Sequence, residues 1–294
     1  MNTNAVLDQR PTAATMQSDL SANPGDNAGS NPGVTLDVDC TLVYEVAGPA
    51  EFLFQIHALQ GMDQQVLSES LVLSPNVPVR VYSDPALGHR YARLHAEAGT
   101  LQVHYQARVH RVAAAPNLNA PEVPIAELPD AWLHDLVPTR YCESDLLGAA
   151  AQRMFGGLPP GHARVQAIAD WIFDNLEYRI GSTQATTTAR DVFVQRAGVC
   201  RDFAHLGITF CRALNIPARL VVGYATFDEP PPDFHAVFEA FIGGHWVMFD
   251  ATRMSPLDRL VRIATGRDAK DVAFATIYGP ATMLSMDPAI RLAP

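Results

Sequence analysis

The stretch from Gly198 to Asp250 constrains the fold more than any other, because its periodicity changes twice. After Cys200, apolar residues recur at Phe203, Leu206, Phe210 and Leu214, with Ile208 and Cys211 alongside. That spacing predicts a helix with one buried face, entered sharply at Gly198 and ended by Pro217. Ala218 to Ala225, rich in valine, then reads as a buried strand. Phe234 to Ile242 and His245 to Asp250 follow as two strand-like runs joined by Gly243-Gly244, a hairpin signal. Helical runs precede them at Glu143 to Phe155, Arg164 to Leu176 and Thr186 to Val194. A helical half followed by antiparallel strands predicts an α+β fold.

Cys200 therefore falls in the first turn of a helix. Unpaired backbone N–H groups and the positive end of the helix dipole favour a thiolate there. On the helix alone, a buried structural cysteine reads equally well. The hairpin breaks the tie. If the turn is only the two glycines, Asp250 faces Val237, and His235 lies two residues further along the same side. His235 and Asp250 are then diagonal neighbours, with Cβ atoms about 7–8 Å apart or less, and an imidazole–carboxylate hydrogen bond is within reach. A three-residue turn would reverse that parity.

Competing residues fail this geometry. His245 falls on the opposite face, and Glu239 lies about 13 Å up the strand from His235. His205 points well round the helix from Cys200. Asp233, next to the histidine in a proline-rich loop (Glu229 to Asp233), is the one rival to Asp250. Cys211 would lie about 16 Å along the helix from Cys200, too far for a disulfide, and reads as core.

The order Cys200, His235, Asp250 resembles the transglutaminase-like superfamily of papain-type cysteine enzymes, in particular its bacterial two-domain members. The resemblance rests on GVCRDFAHLGITFCRALNIPARLVVGY, PPDFHAVFEAFIGGHWVMFDATR and RIATGRDAKDVA, with RVQAIADWIFDNLEYRIGSTQATTTARDVF upstream. It covers roughly Thr139 to Ala281, while Val34 to Val112 resembles the family's N-terminal β domain. It implies Cys200 as nucleophile, His235 as base and Asp250 as the group orienting it. The implied reaction is cleavage or transfer of a peptide- or isopeptide-type amide through a thioester acyl-enzyme, with hydrolysis favoured because water is always present. The Cys200 N–H would be one oxyanion donor, with Tyr178 a candidate second. No cofactor or metal is implied; the partners expected are a peptide or protein amide substrate and an amine acceptor.

Two positions depart from the family pattern. Val237 stands where many members have tryptophan, and Arg201 where many have glutamine. Asp202 reads as a charge complementing the helix dipole, and Arg267 with Asp268 as a structural ion pair. A catalytically inactive scaffold on the same fold is the alternative reading. A metal-dependent hydrolase is another, for which no ligand motif speaks.

The rest of the chain frames this region. Residues 1–33 are polar and small, without periodicity, and are expected to be a disordered tail. From Val34, short alternating runs separated by turn residues predict an all-β sandwich over 34–115. Its histidines (57, 89, 95, 104 and 110) read as ordinary surface or half-buried residues. Residues 116–138 carry five prolines between positions 116 and 138 and read as a linker, with a short helical piece around Asp130 to Asp135. The catalytic domain is assigned 139–294. A net charge of −10 argues against nucleic acid or an anionic membrane as partner. No 18-residue apolar stretch and no secretory signal are visible. Four cysteines without CxxC spacing fit a reducing cytoplasm.

Overall fold

The computed structural model describes residues 33–61, 63–226 and 233–294. The expected disordered tail, all but its last residue, and most of the proline loop 229–233 lie outside these residues. The first six strands are β1 (Val34–Val46), β2 (Ala50–Phe54), β3 (Gln64–Ser74), β4 (Val79–Ser83), β5 (Arg90–Ala96) and β6 (Gly99–Arg111). Along β1 the even-numbered residues from Leu36 to Val46 are buried, and along β6 the odd-numbered residues from Leu101 to Arg111. Period-two burial of this kind lets one sheet face pack on another. Tyr44 of β1 meets Phe52 and Phe54 of β2 at ring distances of 5.3 and 5.8 Å, so the two sheets share an aromatic core.

The second half contains α1 (Ser144–Phe155), α2 (His162–Asn175), β7 (Glu177–Tyr178), α3 (Ala189–Gln195), β8 (Ala197–Gly198) and α4 (Cys200–Ala213). Strands β9 (Ala218–Tyr224), β10 (Phe234–Ile242), β11 (His245–Phe249) and β12 (Val261–Gly266) form a sheet in the order β11-β10-β9-β12. Both β9 and β10 are buried along their whole length. Helix α4 lies against them, with Gly207 so close to Phe238 that a Cβ there would come within 2.6 Å of the ring. The α+β class is as expected.

Two further strands depart from the expected boundaries. β13 (Ala275–Tyr278) pairs with β2, and β14 (Ala281–Leu292) pairs with β1 along Leu36–Val46. The C-terminal segment, assigned from sequence to the catalytic domain, therefore completes the sandwich. The two sheets run β14-β1-β6-β3 and β13-β2-β5-β4. Nor are the histidines of this half all at the surface: His57 and His89 are 4% and 0% exposed. His89 accepts the Thr265 backbone N–H, which gives it a place in the joint between the halves.

That joint is polar and densely bonded. Arg262 of β12 is 2.7 Å from Glu239 and 3.5 Å from Asp63, and Arg219 is 2.5 Å from Glu239. Arg111 of β6 reaches Asp63 and the Leu260 carbonyl. The Tyr224 hydroxyl donates to the Ile56 carbonyl at 2.6 Å. The linker is docked as well: Gly243 N–H donates to the Pro121 carbonyl and His162 N–H to that of Ala120.

Candidate active site

The hairpin carries His235 and Asp250, the residues expected as base and orienting acid. Ile242 pairs with His245 and Phe238 with Phe249, which is the register a two-residue turn imposes. Gly243 and Gly244 both take positive φ, 60° and 81°, and the absence of a Cβ makes that conformation cheap. One residue past β11, Asp250 lies where the parity argument places it. His235 Nε2 is 2.9 Å from Asp250 Oδ2. Both groups are withdrawn from solvent, with side chains 1% and 5% exposed.

The acid is held from its other side. Asp250 Oδ1 accepts from the Thr252 backbone N–H at 2.9 Å and from the Thr252 hydroxyl at 2.7 Å, while the Ser255 N–H points at Oδ2. Burial opposes its charge, but these donors and His235 hold its carboxyl below the usual range. Thr252 and Ser255 were not singled out from sequence; the Asp-Ala-Thr succession after a predicted strand, an Asx-turn pattern, was the available signal.

Cys200 opens α4 and is partly exposed. Its thiol hydrogen-bonds with the His235 ring, and because Nε2 faces Asp250, the nitrogen left for sulfur is Nδ1. Sulfur also lies 4.0 Å from the Phe234 carbonyl. Burial works against a charged His235, yet Asp250 and Cys200 override it and raise the ring's pKa to about 10. These two neighbours favour the protonated ring. Thiol, ring and carboxylate make one hydrogen-bonded line.

Asp202 fixes the helix entry. Its Oδ2 accepts from the Val199 N–H at 3.0 Å and from the Thr183 hydroxyl at 2.6 Å, and its Oδ1 from Arg201 at 2.9 Å. Tyr178 of β7, half-buried against the core, brings its hydroxyl within hydrogen-bonding reach of both the backbone N–H and the sulfur of Cys200. Burial and the nearby sulfur push the phenol's pKa up, so it stays a donor.

The rejected residues lie elsewhere. Asp233 accepts from the Phe234 N–H at 2.6 Å. His205 is fully buried, stacked on Tyr141, with Nε2 accepting from the Ala269 N–H. Cys211 is core, as expected. The expected Arg267–Asp268 ion pair is absent among the described residues. Arg267 instead pairs with Asp271 at 2.9 Å, while buried Asp268 accepts from the backbone N–H groups of Tyr141 and Lys270. Neighbouring side chains at a strand end diverge, and the fourth residue on is the one that turns back.

Comparison with known proteins matches residues 148–251 to the transglutaminase-like superfamily core and residues 34–131 to the bacterial transglutaminase N-terminal domain. The crystal structure of a candidate cysteine protease from Cytophaga hutchinsonii is similar over 89% of this chain and 91% of that one, with 43% identity and a TM-score of 0.84. An uncharacterised Mycobacterium leprae protein is 30% identical over 148 residues, 47% of this chain and 52% of the relative. An uncharacterised Mycobacterium tuberculosis protein is 32% identical over 125 residues, 36% and 38% of the two chains. The match thus spans about half the length of the first of these curated relatives, and less of the second. With both segments matched and the likeness to the Cytophaga structure running through nearly the whole chain, the protein belongs to the transglutaminase-like superfamily and carries a bacterial transglutaminase N-terminal domain ahead of the core.

Proposed function

We propose that the chain is a cysteine-dependent hydrolase of peptide- or isopeptide-type amide bonds, acting through a thioester. The observation that carries this reading is the line from the Cys200 thiol through His235 to Asp250 Oδ2, with its 2.9 Å second link. His235 holds the proton of the Cys200 thiol, and the thiolate so formed attacks the amide carbonyl carbon; a C–S bond forms and the carbonyl electron pair moves onto oxygen. The Cys200 N–H and the Tyr178 hydroxyl receive that oxyanion. On collapse the C–N bond breaks, and His235 gives its proton to the departing nitrogen. His235, now neutral, takes a proton from water as the oxygen attacks the thioester. The C–S bond then breaks, releasing the acid. An amine in place of water turns the same second step into acyl transfer. Asp250 keeps the imidazole oriented and its charge matched throughout.

A reducing cytoplasm is part of the proposal, in keeping with four free cysteines. No helix among the described residues is long and apolar enough to cross a membrane.

The test is turnover of amide, ester and glutaminyl donors, with and without an added primary amine, beside Cys200→Ala. Loss of turnover in the variant is expected, with product acid formed in the absence of amine. Turnover that persists in Cys200→Ala removes the nucleophile assignment, and product that forms only with amine replaces hydrolysis by transfer.

A further inference from the structure

The outer face of the sheet β13-β2-β5-β4 holds a charge arrangement that the fold does not neutralise. Arg80 of β4 and Arg93 of β5 are direct cross-strand partners, a placement of like charges that destabilises a sheet. Other arginines of this half have acids: Arg90 with Glu69, Arg108 with Asp37, Arg111 with Asp63. Among the described residues, neither the Arg80 nor the Arg93 side chain has a hydrogen bond, ion pair or ring contact.

Two residues along, Tyr82 and Tyr91 are also cross-strand partners, their rings stacked at 6.4 Å and 21°. Residues two apart share a face, so both pairs look outward together, with Leu53 beside Arg93. These five residues line a cavity of about 360 Å³. The floor is held in place: the Tyr91 hydroxyl is 3.4 Å from Gln55 Nε2 and 3.4 Å from His89 Nδ1. Strand β4 is the edge of its sheet, and every residue in it is exposed.

We propose that this face docks an acidic, extended peptide segment of a partner protein. Guanidinium forks bind carboxylates in paired hydrogen bonds, and the unpaired arginines supply two. An apolar or aromatic side chain two positions further along such a peptide reaches the tyrosine pair, because an extended chain repeats its side chains at the spacing of the sheet itself. The open edge of β4 offers backbone pairing to the same segment. Two arginines match a pair of carboxylates rather than the continuous phosphate charge of a nucleic acid, which a net charge of −10 repels more strongly than a short peptide. The proposal does not depend on the chemistry of Cys200.

The experiment measures fluorescence anisotropy of a labelled peptide of glutamate, aspartate and phenylalanine on the full chain. The double variant Arg80→Glu, Arg93→Glu is compared with wild type and with Arg153→Glu, an exposed charge reversal in the helical half. Wild type and Arg153→Glu bind, binding weakens with salt, and the double variant loses about tenfold or more in affinity. The milder pair Arg80→Gln, Arg93→Gln weakens binding while melting at or above the wild-type temperature, since it relieves the opposed charges. Affinity unchanged in both double variants overturns the proposal. So does a labelled single-stranded oligonucleotide that binds more tightly than the peptide and displaces it.

Discussion

The two ends of α4 each carry a cysteine, and the difference between them lies in what surrounds the helix there. At the C-terminal end Cys211 is fully buried, and burial pushes its thiol's pKa up. Its neighbour Arg212, 3% exposed, donates to the carbonyls of Val137, Ala218 and Arg267 and to the Thr139 hydroxyl. That one side chain ties the helix to the linker, to the start of β9 and to the end of β12. At the N-terminal end Cys200 is partly exposed, and its partner is an ionisable ring backed by a carboxylate. The same residue type is inert packing at one end and a candidate nucleophile at the other. An anchored end lets the other hold its position against a hairpin from a distant part of the chain.

The strongest way to break this comparison is to disturb the Cys200 end alone. Asp250→Asn should lower kcat/KM by about 10²–10⁴-fold. The carboxylate helps raise the His235 pKa to about 10, so without it burial draws that value down. The alkaline limb of the pH–rate profile, set by loss of the imidazolium proton, should move to lower pH. A limb that stays in place would detach Asp250 from the site. Next in size is the contrast in alkylation: iodoacetamide at neutral pH should label Cys200 about 100-fold faster than Cys211, as read by peptide mass spectrometry. Equal sluggishness would instead favour a scaffold.

The anchored end should fail in stability rather than chemistry. Arg212→Ala strands three carbonyl acceptors and should cost about 3 kcal/mol in urea unfolding, while the alkylation rate of Cys200 in the folded protein holds. The smallest effect belongs to the cap: Asp202→Ala should cost about 1 kcal/mol, visible as a lowered melting temperature.

The pairing of His235 with Asp250 was legible because a two-glycine turn fixes strand parity, and parity decides which side chains meet. The helix at Cys200 was legible from its apolar stripe. Strand β14 was not: as the outermost strand of its sheet it is mostly exposed or half-buried, and Asp287 and Pro288 interrupt any alternation. Pro288 lies opposite Cys40, tolerated because an edge strand can forgo one ladder bond. Glu239 could be seen to share the His235 face, but its partners Arg219 and Arg262 come from two other strands, and no local pattern announces such a triad. Arg267 and Asp268 misled because adjacency along the chain is a poor guide to contact at a strand end.

The return of β14 to β1 bears on how the molecule is made. A ribosome releases residues 34–46 long before residues 281–292, so the first sheet cannot close until that later segment has emerged. Until then β1 presents one bare hydrogen-bonding flank, open to pairing with a neighbouring nascent copy. Excising the N-terminal region as a stand-alone fragment would freeze it in that unfinished state, whereas a circular permutant joining the two strands through a short loop would give it both partners at once.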